Sequence, residues 1–344
     1  MKAWVLYGAG DLRLEDRAVP KPGAGEALVR VKAAGVCGSD IPRVFETGAR
    51  AGSLIPGHEF SGVVEEAPGE LSAWAGKRVS AFPLIPCMRC DSCLRGLYET
   101  CSSYGYIGSR RDGAFAEYVV VPAWNLVELP EGMTFAAAAM LEPAAVALHA
   151  TRRLDLAEAK SVAVFGAGPV GLLIALWARL RGAERVFVVG TKPAQGNMAG
   201  KLGFSDFCDA NAEDAIDLIS KLTDDAGADA CVDAAGTVRS VSDCIRAARA
   251  GGQIVLVGNP RADMRLEKDV YWRILRKQLK IFGSWNAGFR SEEASDWTET
   301  PAAAQSGALP LEALITHRFA LADLARAMDM MRLRQTYFCK VIIE

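Results

Sequence analysis

Histidine, excess charge and long uninterrupted apolar runs are all scarce in this chain. Its 344 residues include 3 histidines, and 39 basic against 41 acidic residues leave a net charge of -2. A chain so close to neutrality favours neither a nucleic-acid partner nor an anionic membrane surface. The uncharged stretch 161–178 is barely long enough to span a membrane, and Gly166, Gly168, Pro169 and Gly171 divide it into a strand, a turn and a helix. We therefore expect no nucleic acid and no membrane as partners.

A secretory leader and a disulfide framework are also not expected. The segment Met1–Tyr7 reads directly as a strand. The nine cysteines of such a chain favour metal binding over disulfides, and we expect a cytoplasmic protein. The length predicts two domains.

Three separate stretches supply candidate metal ligands. Cys37 lies in a glycine-flanked turn, His58 stands between Gly57 and Glu59, and Glu142 lies inside an apolar run. A lone histidine in a turn is usually just hydrogen-bonded. A thiolate, an imidazole and a carboxylate together form a three-ligand zinc site with an open fourth position, as zinc catalysis requires. Glu59 is interpreted either as a residue that orients a ligand or as a ligand itself.

A second group of cysteines has a compact spacing. Cys87, Cys90, Cys93 and Cys101 form the pattern C-x2-C-x2-C-x7-C. Four thiolates at this spacing can complete a tetrahedral zinc shell without an open position, which predicts a structural zinc. An iron–sulfur cluster and a nucleic-acid zinc ribbon are the alternatives. With the first group, the sequence predicts two zinc ions per chain, one catalytic and one structural.

The pattern of predicted elements changes near residue 150. Residues 1–150 contain short alternating strands separated by turn residues, which indicates a β-rich domain. Residues 151–285 alternate strands with helices, which indicates a doubly wound parallel sheet and an α/β class. Helix is predicted over 321–333 and a closing strand over 338–343, whereas the polar region 287–306 reads as part loop.

A glycine turn stands between a predicted strand, 161–165, and a predicted helix, 172–180. A lone G-x-G-x-x-G is weak evidence for a dinucleotide site. Between a strand and a helix it is strong evidence, because glycines let the backbone approach a pyrophosphate at the helix N-terminus. The predicted dinucleotide contacts come from this turn: Gly166, Gly168, Pro169, Val170 and Gly171.

Three of these stretches carry a family resemblance. The Cys37-Gly-Ser-Asp40 turn, the Gly57-His58-Glu59 signature and Glu142-Pro143 resemble the zinc-dependent medium-chain dehydrogenases, in the sorbitol dehydrogenase branch, over the whole chain. The resemblance implies a chaperonin-10-like β-rich catalytic domain, 1–150, completed by 286–344, and a Rossmann NAD(P)-binding domain, 151–285. It also implies a homodimer or homotetramer, assembled through the edge strand near 279–282.

The resemblance implies reversible oxidation of a secondary alcohol to a ketone by hydride transfer to a nicotinamide. Ser39 would take the alcohol proton and pass it outward. Many relatives place a histidine three residues after that serine, but Pro42 stands here, so the outer step would use water or the cofactor ribose. Asp40 is interpreted as a residue that fixes the turn.

The substrate side resembles the branch members that use polyol phosphates. The resemblance rests on Pro42-Arg43, on the run from Ile107 to Gly113, and on the run from Ile281 to Trp285. Guanidinium groups suit phosphate because they donate two parallel hydrogen bonds. The predicted substrate residues are Arg43, Arg110, Arg111 and Trp285.

Other functions remain open at this point. Plain polyol, vicinal-diol or threonine dehydrogenases share the ligand pattern. A zinc-free quinone reductase and a non-catalytic NADPH-binding relic share the fold, but the ligand set and the cysteine group count against both.

The predicted cofactor is NADP(H) in preference to NAD(H). NAD-using Rossmann domains place an Asp or Glu about 20 residues beyond the glycine turn, at the end of the second strand. Gly190, Thr191 and Lys192 occupy that position here, without a carboxylate. Glycine leaves room for a phosphate, Thr191 offers a hydroxyl and a backbone donor, and Lys192 supplies a positive charge. Gly190→Asp is expected to favour NAD.

Overall fold

Two compact units make up the part of the chain that the computed structural model describes, residues 1–50, 52–289 and 295–344. The first unit holds Met1–Glu142, Gly288–Gly307 and Leu314–Glu344. The second holds Pro143–Ala287 and Ala308–Ala313. None of the helices formed by these described residues is long and apolar enough to cross a membrane.

The strands, in chain order, are β1 (Lys2–Gly8), β2 (Asp11–Asp16), β3 (Glu26–Val36), β4 (Glu59–Glu66), β5 (Arg78–Ala81), β6 (Leu84–Ile85), β7 (Gly105–Tyr106), β8 (Tyr118–Pro122), β9 (Leu126–Glu128), β10 (Ser161–Phe165), β11 (Arg185–Gly190), β12 (Phe207–Asp209), β13 (Ala228–Asp233), β14 (Ala248–Leu256), β15 (Lys280–Gly283), β16 (Ile315–Phe319) and β17 (Lys340–Ile343).

The helices are α1 (Asp40–Pro42), α2 (Asp91–Leu94), α3 (Phe135–Ala139), α4 (Leu141–Thr151), α5 (Pro169–Leu180), α6 (Pro193–Lys201), α7 (Ala215–Leu222), α8 (Val238–Ala247), α9 (Lys268–Arg276), α10 (Asp296–Gln305) and α11 (Leu324–Leu333).

The first unit is built around a sheet in the order β16-β17-β3-β4-β5-β9, with β8 also paired to β3. β3 pairs antiparallel with β4, β8 and β17, so it is the central strand. Its alternating apolar residues, among them Val29, join Phe60, Phe115 and Val341 in one buried core. Met328 of α11 packs into the same core. The predicted β-rich domain is confirmed.

The second unit holds a parallel sheet in the order β12-β11-β10-β13-β14-β15. The order reverses between β10 and β13, as in a doubly wound fold, and this prediction is confirmed. All five residues of β10 are buried, because helices cover both faces of such a sheet. The uncharged stretch 161–178 forms β10, the glycine turn and part of α5.

Several element boundaries differ from the prediction for local reasons. α7 begins at Ala215 rather than near residue 212, because the Asp214 side chain caps it by accepting the Ile216 N–H at 2.7 Å. A 3-10 turn, Leu321–Asp323, precedes α11, so the α-helix starts later than predicted. The final strand starts at Lys340.

The region predicted as part loop, 287–306, contains α10. The Thr298 hydroxyl accepts the Ser295 N–H at 2.8 Å, and Trp297 is fully buried in the first turn. Pro301 inside the helix concealed this element from the sequence pattern. Residues 290–294 of the same region lie outside the described residues.

Candidate active site

The register of β3 and β4 brings the first set of predicted ligands together. Gly35 pairs with Glu59 across the two strands, so Cys37, just beyond β3, lies beside His58, just before β4. The ligand atoms of Cys37, His58 and Glu59 lie within 4.8 Å of one another. His58 and Glu59 are buried, and Cys37 is partly buried.

Asp40 and Ser39 surround the Cys37 end of this cluster. Asp40 is fully buried, and its Oδ2 accepts the Cys37 N–H at 3.0 Å. Its Oδ1 faces His58 Nδ1 at 3.6 Å, and neither of these two atoms has a hydrogen-bond partner in the described structure. Burial opposes protonation of His58, but Asp40 and Cys37 outweigh it and raise the imidazole pKa well above its usual value. The Ser39 hydroxyl donates to Cys37 Sγ at 3.2 Å.

Glu59 has a buried cationic partner. Lys340, the first residue of β17, forms an ion pair with the Glu59 carboxylate, and the two residues are 2% and 1% exposed. Burial lowers the pKa of this lysine, but the Glu59 charge outweighs burial and raises it. A side chain on Gly35 would overlap both groups, so a glycine is required beside the pair. Glu59 is thus held at the cluster by Lys340.

Glu142 lies next to this cluster but outside the group of atoms within 4.8 Å of one another. It is buried in the first turn of α4, and Tyr106 donates its hydroxyl to Glu142 Oε1 at 3.3 Å. The Tyr106 ring also meets the His58 ring edge-on, with centroids 5.7 Å apart. Burial, assisted by the Glu59 charge, raises the pKa of Glu142 to about 7.

These residues fit a catalytic zinc. Thiolate, imidazole and carboxylate are the donor types that zinc binds. The unpaired Nδ1 of His58 and Oδ1 of Asp40 are buried polar atoms of the kind that a bound cation or its ligand shell satisfies. Cys37, His58 and Glu142 remain the predicted ligands, and the Glu59 carboxylate is a fourth potential donor beside them.

The second cysteine group is gathered as predicted. The four Sγ atoms of Cys87, Cys90, Cys93 and Cys101 lie within 4.8 Å of one another. Three of the Sγ–Sγ separations are 4.0, 3.5 and 3.8 Å. A tetrahedral zinc with bonds of about 2.3 Å requires sulfur atoms about 3.8 Å apart. Backbone N–H donors from Cys93 and Ser102 lower the Cys90 pKa to about 6, which favours the thiolate that a metal binds.

Arg110 belongs to a chain of aromatic contacts that leads to the cluster. Its guanidinium carbon lies 3.7 Å from the centre of the Tyr104 ring, and Nη1 donates to the Tyr104 carbonyl at 2.6 Å. Tyr104 in turn meets Tyr106, with ring centroids 6.3 Å apart. Arg43 begins the π-helix that follows α1, and its buried Nε has no hydrogen-bond partner in the described structure.

Arg111 and Trp285 are placed differently. Arg111 Nη2 donates to Glu26 Oε1 at 2.7 Å, at the first residue of β3 and therefore at the opposite end of that strand from Cys37. Its guanidinium is thus already paired with a carboxylate, and the contact of Arg111 with substrate stays a prediction. Trp285 lies beyond β15 in the second unit and is 54% exposed.

Three glycines join the metal-ligand turn to the segment that carries Tyr104, Tyr106 and Arg110. Gly57 has φ +99°, and a Cβ there would lie 2.9 Å from the Phe115 nitrogen. A Cβ on Gly108 would lie 2.6 Å from the Gly57 carbonyl carbon, and one on Gly113 would overlap the Gly57 oxygen. The backbones therefore pack directly against one another, and this contact is called the glycine junction.

The glycine turn of the second unit fits a dinucleotide. Gly166 has φ +120°, and a side chain on Gly171 would overlap the Gly166 carbonyl oxygen. The space where Gly168 would carry a Cβ is open, with no atom within 4 Å. Gly168 caps α5 without a side-chain hydrogen bond, and Pro169 follows at the start of the helix. A pyrophosphate can therefore approach the backbone N–H groups of this turn.

The predicted phosphate loop follows β11. Lys192 is exposed and forms no ion pair within the described part of the chain. Thr191 is exposed as well, but its backbone N–H donates to Gln195 Oε1 at 2.8 Å. The expectation that Thr191 offers a free backbone donor is therefore wrong, and only its hydroxyl is available.

Sequence reasoning missed Lys340 and Tyr106 and gave Asp40 only a role in the turn. A lysine inside an apolar closing strand is itself a signal, because buried lysines nearly always have a charged partner. Tyr106 carried no comparable signal, since its contact with Glu142 depends on tertiary structure alone.

Two family models match the chain. The Alcohol dehydrogenase GroES-like domain matches residues 23–131, and the Zinc-binding dehydrogenase model matches residues 169–301. Galactitol 1-phosphate 5-dehydrogenase of Escherichia coli is 33% identical over 95% of this chain and 95% of its own length. Sorbitol dehydrogenase of Halalkalibacterium halodurans is 32% identical, again over 95% of both chains.

Solved structures show the same likeness. Galactitol-1-phosphate dehydrogenase from Escherichia coli superimposes with a TM-score of 0.91 at 32% identity and covers 100% of this chain and 99% of its own. A zinc-binding dehydrogenase from Sinorhizobium meliloti, bound to NADP, gives a TM-score of 0.89 at 28% identity, over 99% and 98% of the chains. An Escherichia coli alcohol dehydrogenase complexed with NADH gives a TM-score of 0.90 at 28% identity, and the match covers 100% of this chain and 98% of its own. The chain thus belongs to the zinc-containing, NAD(P)-dependent medium-chain alcohol and polyol dehydrogenases.

Proposed function

We propose that this dehydrogenase oxidises a secondary alcohol of a polyol phosphate, similar to galactitol 1-phosphate, to the corresponding ketose with NADP as hydride acceptor. The observation that carries the substrate proposal is the stack of Arg110 on Tyr104. Through Tyr106 this stack leads to Glu142 and His58. The named relative that acts on galactitol 1-phosphate supports the same class.

The chain's own residues have distinct tasks in this reaction. Cys37, His58 and Glu142 would hold the catalytic zinc, with Glu59 as an exchanging or orienting carboxylate. When bound, zinc supplies a Lewis acid that lowers an alcohol's pKa, and the nicotinamide accepts hydride. Ser39 Oγ, 3.2 Å from Cys37 Sγ, would take the alcohol proton and pass it outward.

Further contacts prepare the site for this chemistry. Asp40 fixes the Cys37 turn by accepting its N–H at 3.0 Å. Tyr106 fixes one carboxylate oxygen of Glu142. Cys87, Cys90, Cys93 and Cys101 would hold the structural zinc, whose binding contributes folding free energy.

Phosphate recognition is assigned to Arg110 and Arg43. Arg110 is held by an aromatic face and a carbonyl, contacts that leave part of its guanidinium fork for an anion. Arg43 contributes a half-buried guanidinium whose Nε is unbonded in the described structure. Trp285 stays a proposed substrate residue on the resemblance alone.

Steady-state kinetics over paired hexitols and hexitol phosphates test the substrate class. Arg110→Ala and Arg43→Ala should each raise KM for the phosphate ester at least tenfold and change KM for the free polyol less than threefold. Arg95→Ala, on an exposed i,i+4 pair with Asp91, is the matched control and should change neither. Equal effects on both substrates would remove the phosphate proposal and leave the enzyme class intact.

An unphosphorylated polyol, a vicinal diol or threonine is the alternative substrate. The observation that favours it is the ion pair of Arg111 with Glu26, since a guanidinium already paired with a carboxylate binds phosphate less readily. The sorbitol dehydrogenase relative is consistent with it. In that case the unmodified enzyme would turn over the free polyol with higher kcat/KM than the phosphate.

The NADP proposal rests on the lack of a carboxylate at residue 190, on the Thr191 hydroxyl and on Lys192. A charge-assisted hydrogen bond contributes roughly 1.5 to 3 kcal/mol, so a single contact to the 2′-phosphate predicts about 10- to 100-fold preference. Lys192→Ala should therefore remove most of the preference, while the zinc content stays unchanged. Comparable kcat/KM values for NAD and NADP in the unmodified enzyme would refute this proposal.

Assembly into a homodimer or homotetramer is proposed through β15, an edge of its sheet in the described structure. Tyr271, Trp272 and Leu275 of α9 are 53%, 45% and 58% exposed, and Ile281 of β15 is 39% exposed. Unpaired edge strands and apolar faces favour association. Light scattering should give a dimeric or tetrameric mass that falls to a monomer in Ile281→Lys. A cytoplasmic location is proposed because none of the nine cysteines forms a disulfide.

A further inference from the structure

The space above Gly190 is occupied by another side chain. A Cβ built on Gly190 would lie 2.7 Å from Gln195 Oε1 and 2.9 Å from the Phe207 ring. The end of β11 is where NAD-using Rossmann domains place their ribose-binding carboxylate. In this chain the carboxamide of Gln195 stands at the base of that position. An aspartate at residue 190 would have to displace it.

Gln195 is fixed at this place by two hydrogen bonds. Its Oε1 accepts the Thr191 N–H at 2.8 Å, and its Nε2 donates to the carbonyl of Ala167, in the glycine turn, at 3.3 Å. Asn211 Nδ2 holds the Thr191 carbonyl from the other side at 2.9 Å. The carboxamide thus connects the two loops that border an adenosine ribose in a Rossmann domain.

We propose that Gln195 determines the cofactor specificity, by placing a neutral carboxamide where an NAD-using enzyme has a carboxylate. This inference rests on the proposed preference for NADP. The amide keeps negative charge away from the 2′-phosphate and fixes the loop that carries Thr191 and Lys192. Gly190 alone does not account for the preference, since glycine merely leaves the space that Gln195 fills, whereas Lys192 supplies the contact to the 2′-phosphate.

Two near-isosteric substitutions separate charge from packing. Gln195→Glu keeps an acceptor for the Thr191 N–H but adds a negative charge beside the ribose, and like charges at close range repel. It should weaken NADPH binding at least tenfold and change NADH binding less than threefold. Gln195→Met has the same length without polar atoms, so it should change both dissociation constants by a similar factor.

Dissociation constants of NADPH and NADH are measured on the purified enzyme by fluorescence titration, which requires no turnover. The inference would be overturned if the ratio of the NADPH and NADH dissociation constants were unchanged in Gln195→Glu. It would also be overturned if Gln195→Met changed this ratio as much as Gln195→Glu does. The proposed function is tested separately by the unmodified enzyme, because binding of NADH as tight as that of NADPH would refute it. In either case the change caused by Gln195→Glu is measured relative to the ratio of the two dissociation constants in the unmodified enzyme.

The steric part is tested at Gly190. Contrary to the expectation from the sequence that Gly190→Asp favours NAD, this substitution alone should weaken the binding of both cofactors, because the new side chain displaces Gln195 and breaks its two hydrogen bonds. Gly190→Asp with Gln195→Ala should bind NADH at least tenfold tighter than Gly190→Asp alone. If the double variant binds NADH no more tightly than Gly190→Asp alone, Gln195 does not occupy the carboxylate's position.

Discussion

Replacing Lys340 by methionine should destabilise the protein by leaving Glu59 buried without a countercharge. The two residues are 2% and 1% exposed, so water cannot solvate the remaining carboxylate. Removing one partner of a buried ion pair costs about 3–5 kcal/mol. Protonation of the carboxylate limits the loss of folding free energy. Holding a proton at pH 7 on a glutamate, whose ordinary pKa is about 4.3, costs about 3.7 kcal/mol.

This limit gives the prediction a pH dependence with a definite sign. In Lys340→Met the folded protein binds a proton that the unfolded chain releases above about pH 4.3, so the variant loses stability as the pH rises. The deficit should be about 3.7 kcal/mol at pH 7 and about 1 kcal/mol at pH 5. For a unit of this size, the pH 7 deficit corresponds to a Tm lower by about 7–15 °C.

Thermal unfolding at the two pH values measures the effect. Lys340→Met combined with Glu59→Gln should recover most of the loss, because no charge stays buried. Lys2→Met is the matched control, since its ion pair with Asp16 has side chains 53% and 78% exposed and solvent screening should leave it little effect on stability. A bound zinc would offset part of the loss, so the larger effect is expected in zinc-free protein. A Lys340→Met variant within about 1 kcal/mol of the unmodified protein at pH 7 would refute the reasoning.

Three further predictions concern the metals. Replacing any one of the predicted catalytic ligands by alanine (Cys37→Ala, His58→Ala or Glu142→Ala) should abolish turnover and leave about one zinc per chain by atomic absorption. A Glu142→Ala enzyme with a near-normal rate and two zinc ions would remove Glu142 from the ligand set. Cys90→Ser should lower the yield of folded protein and the zinc content together, because structural zinc contributes folding free energy, and an unchanged Tm would contradict this. Zinc uptake should weaken as the pH falls below about 7, because burial raises the Glu142 pKa to about 7 and zinc must then displace its proton. Chelator competition at pH 6 and 8 measures this, and equal affinities at both would argue against Glu142 as a ligand.

Sequence reasoning succeeded where the signal is local. β10 was predicted with correct bounds, because it is a short buried strand that a glycine turn follows directly. The helix after the turn was predicted too, but α5 begins at Pro169 rather than at residue 172, so the last glycine of the motif lies inside the helix. The cysteine spacing likewise predicted a cluster whose sulfur atoms meet.

Contacts between distant segments were not predictable in the same way. Lys340 meets Glu59 because β17 and β4 both flank β3, a register that no local pattern specifies. The ion pair of Arg111 with Glu26 was not foreseen because the two residues lie 85 positions apart. Gln195 was overlooked because its carboxamide matters only once the end of β11 and the glycine turn are adjacent.

The glycine junction has a consequence for how substrate preference can diverge in this scaffold. Because Gly57, Gly108 and Gly113 pack backbone to backbone, the segment between the last two keeps a fixed path beside His58. Replacing the side chains of Tyr104 or Arg110 leaves that path intact. Tyr104 precedes this segment and Arg110 lies within it. Insertions or deletions between residues 108 and 113 would instead shift Gly57 and the histidine that follows it. New substrates are therefore accessible by point substitution in this segment, and changes of its length would disrupt metal binding.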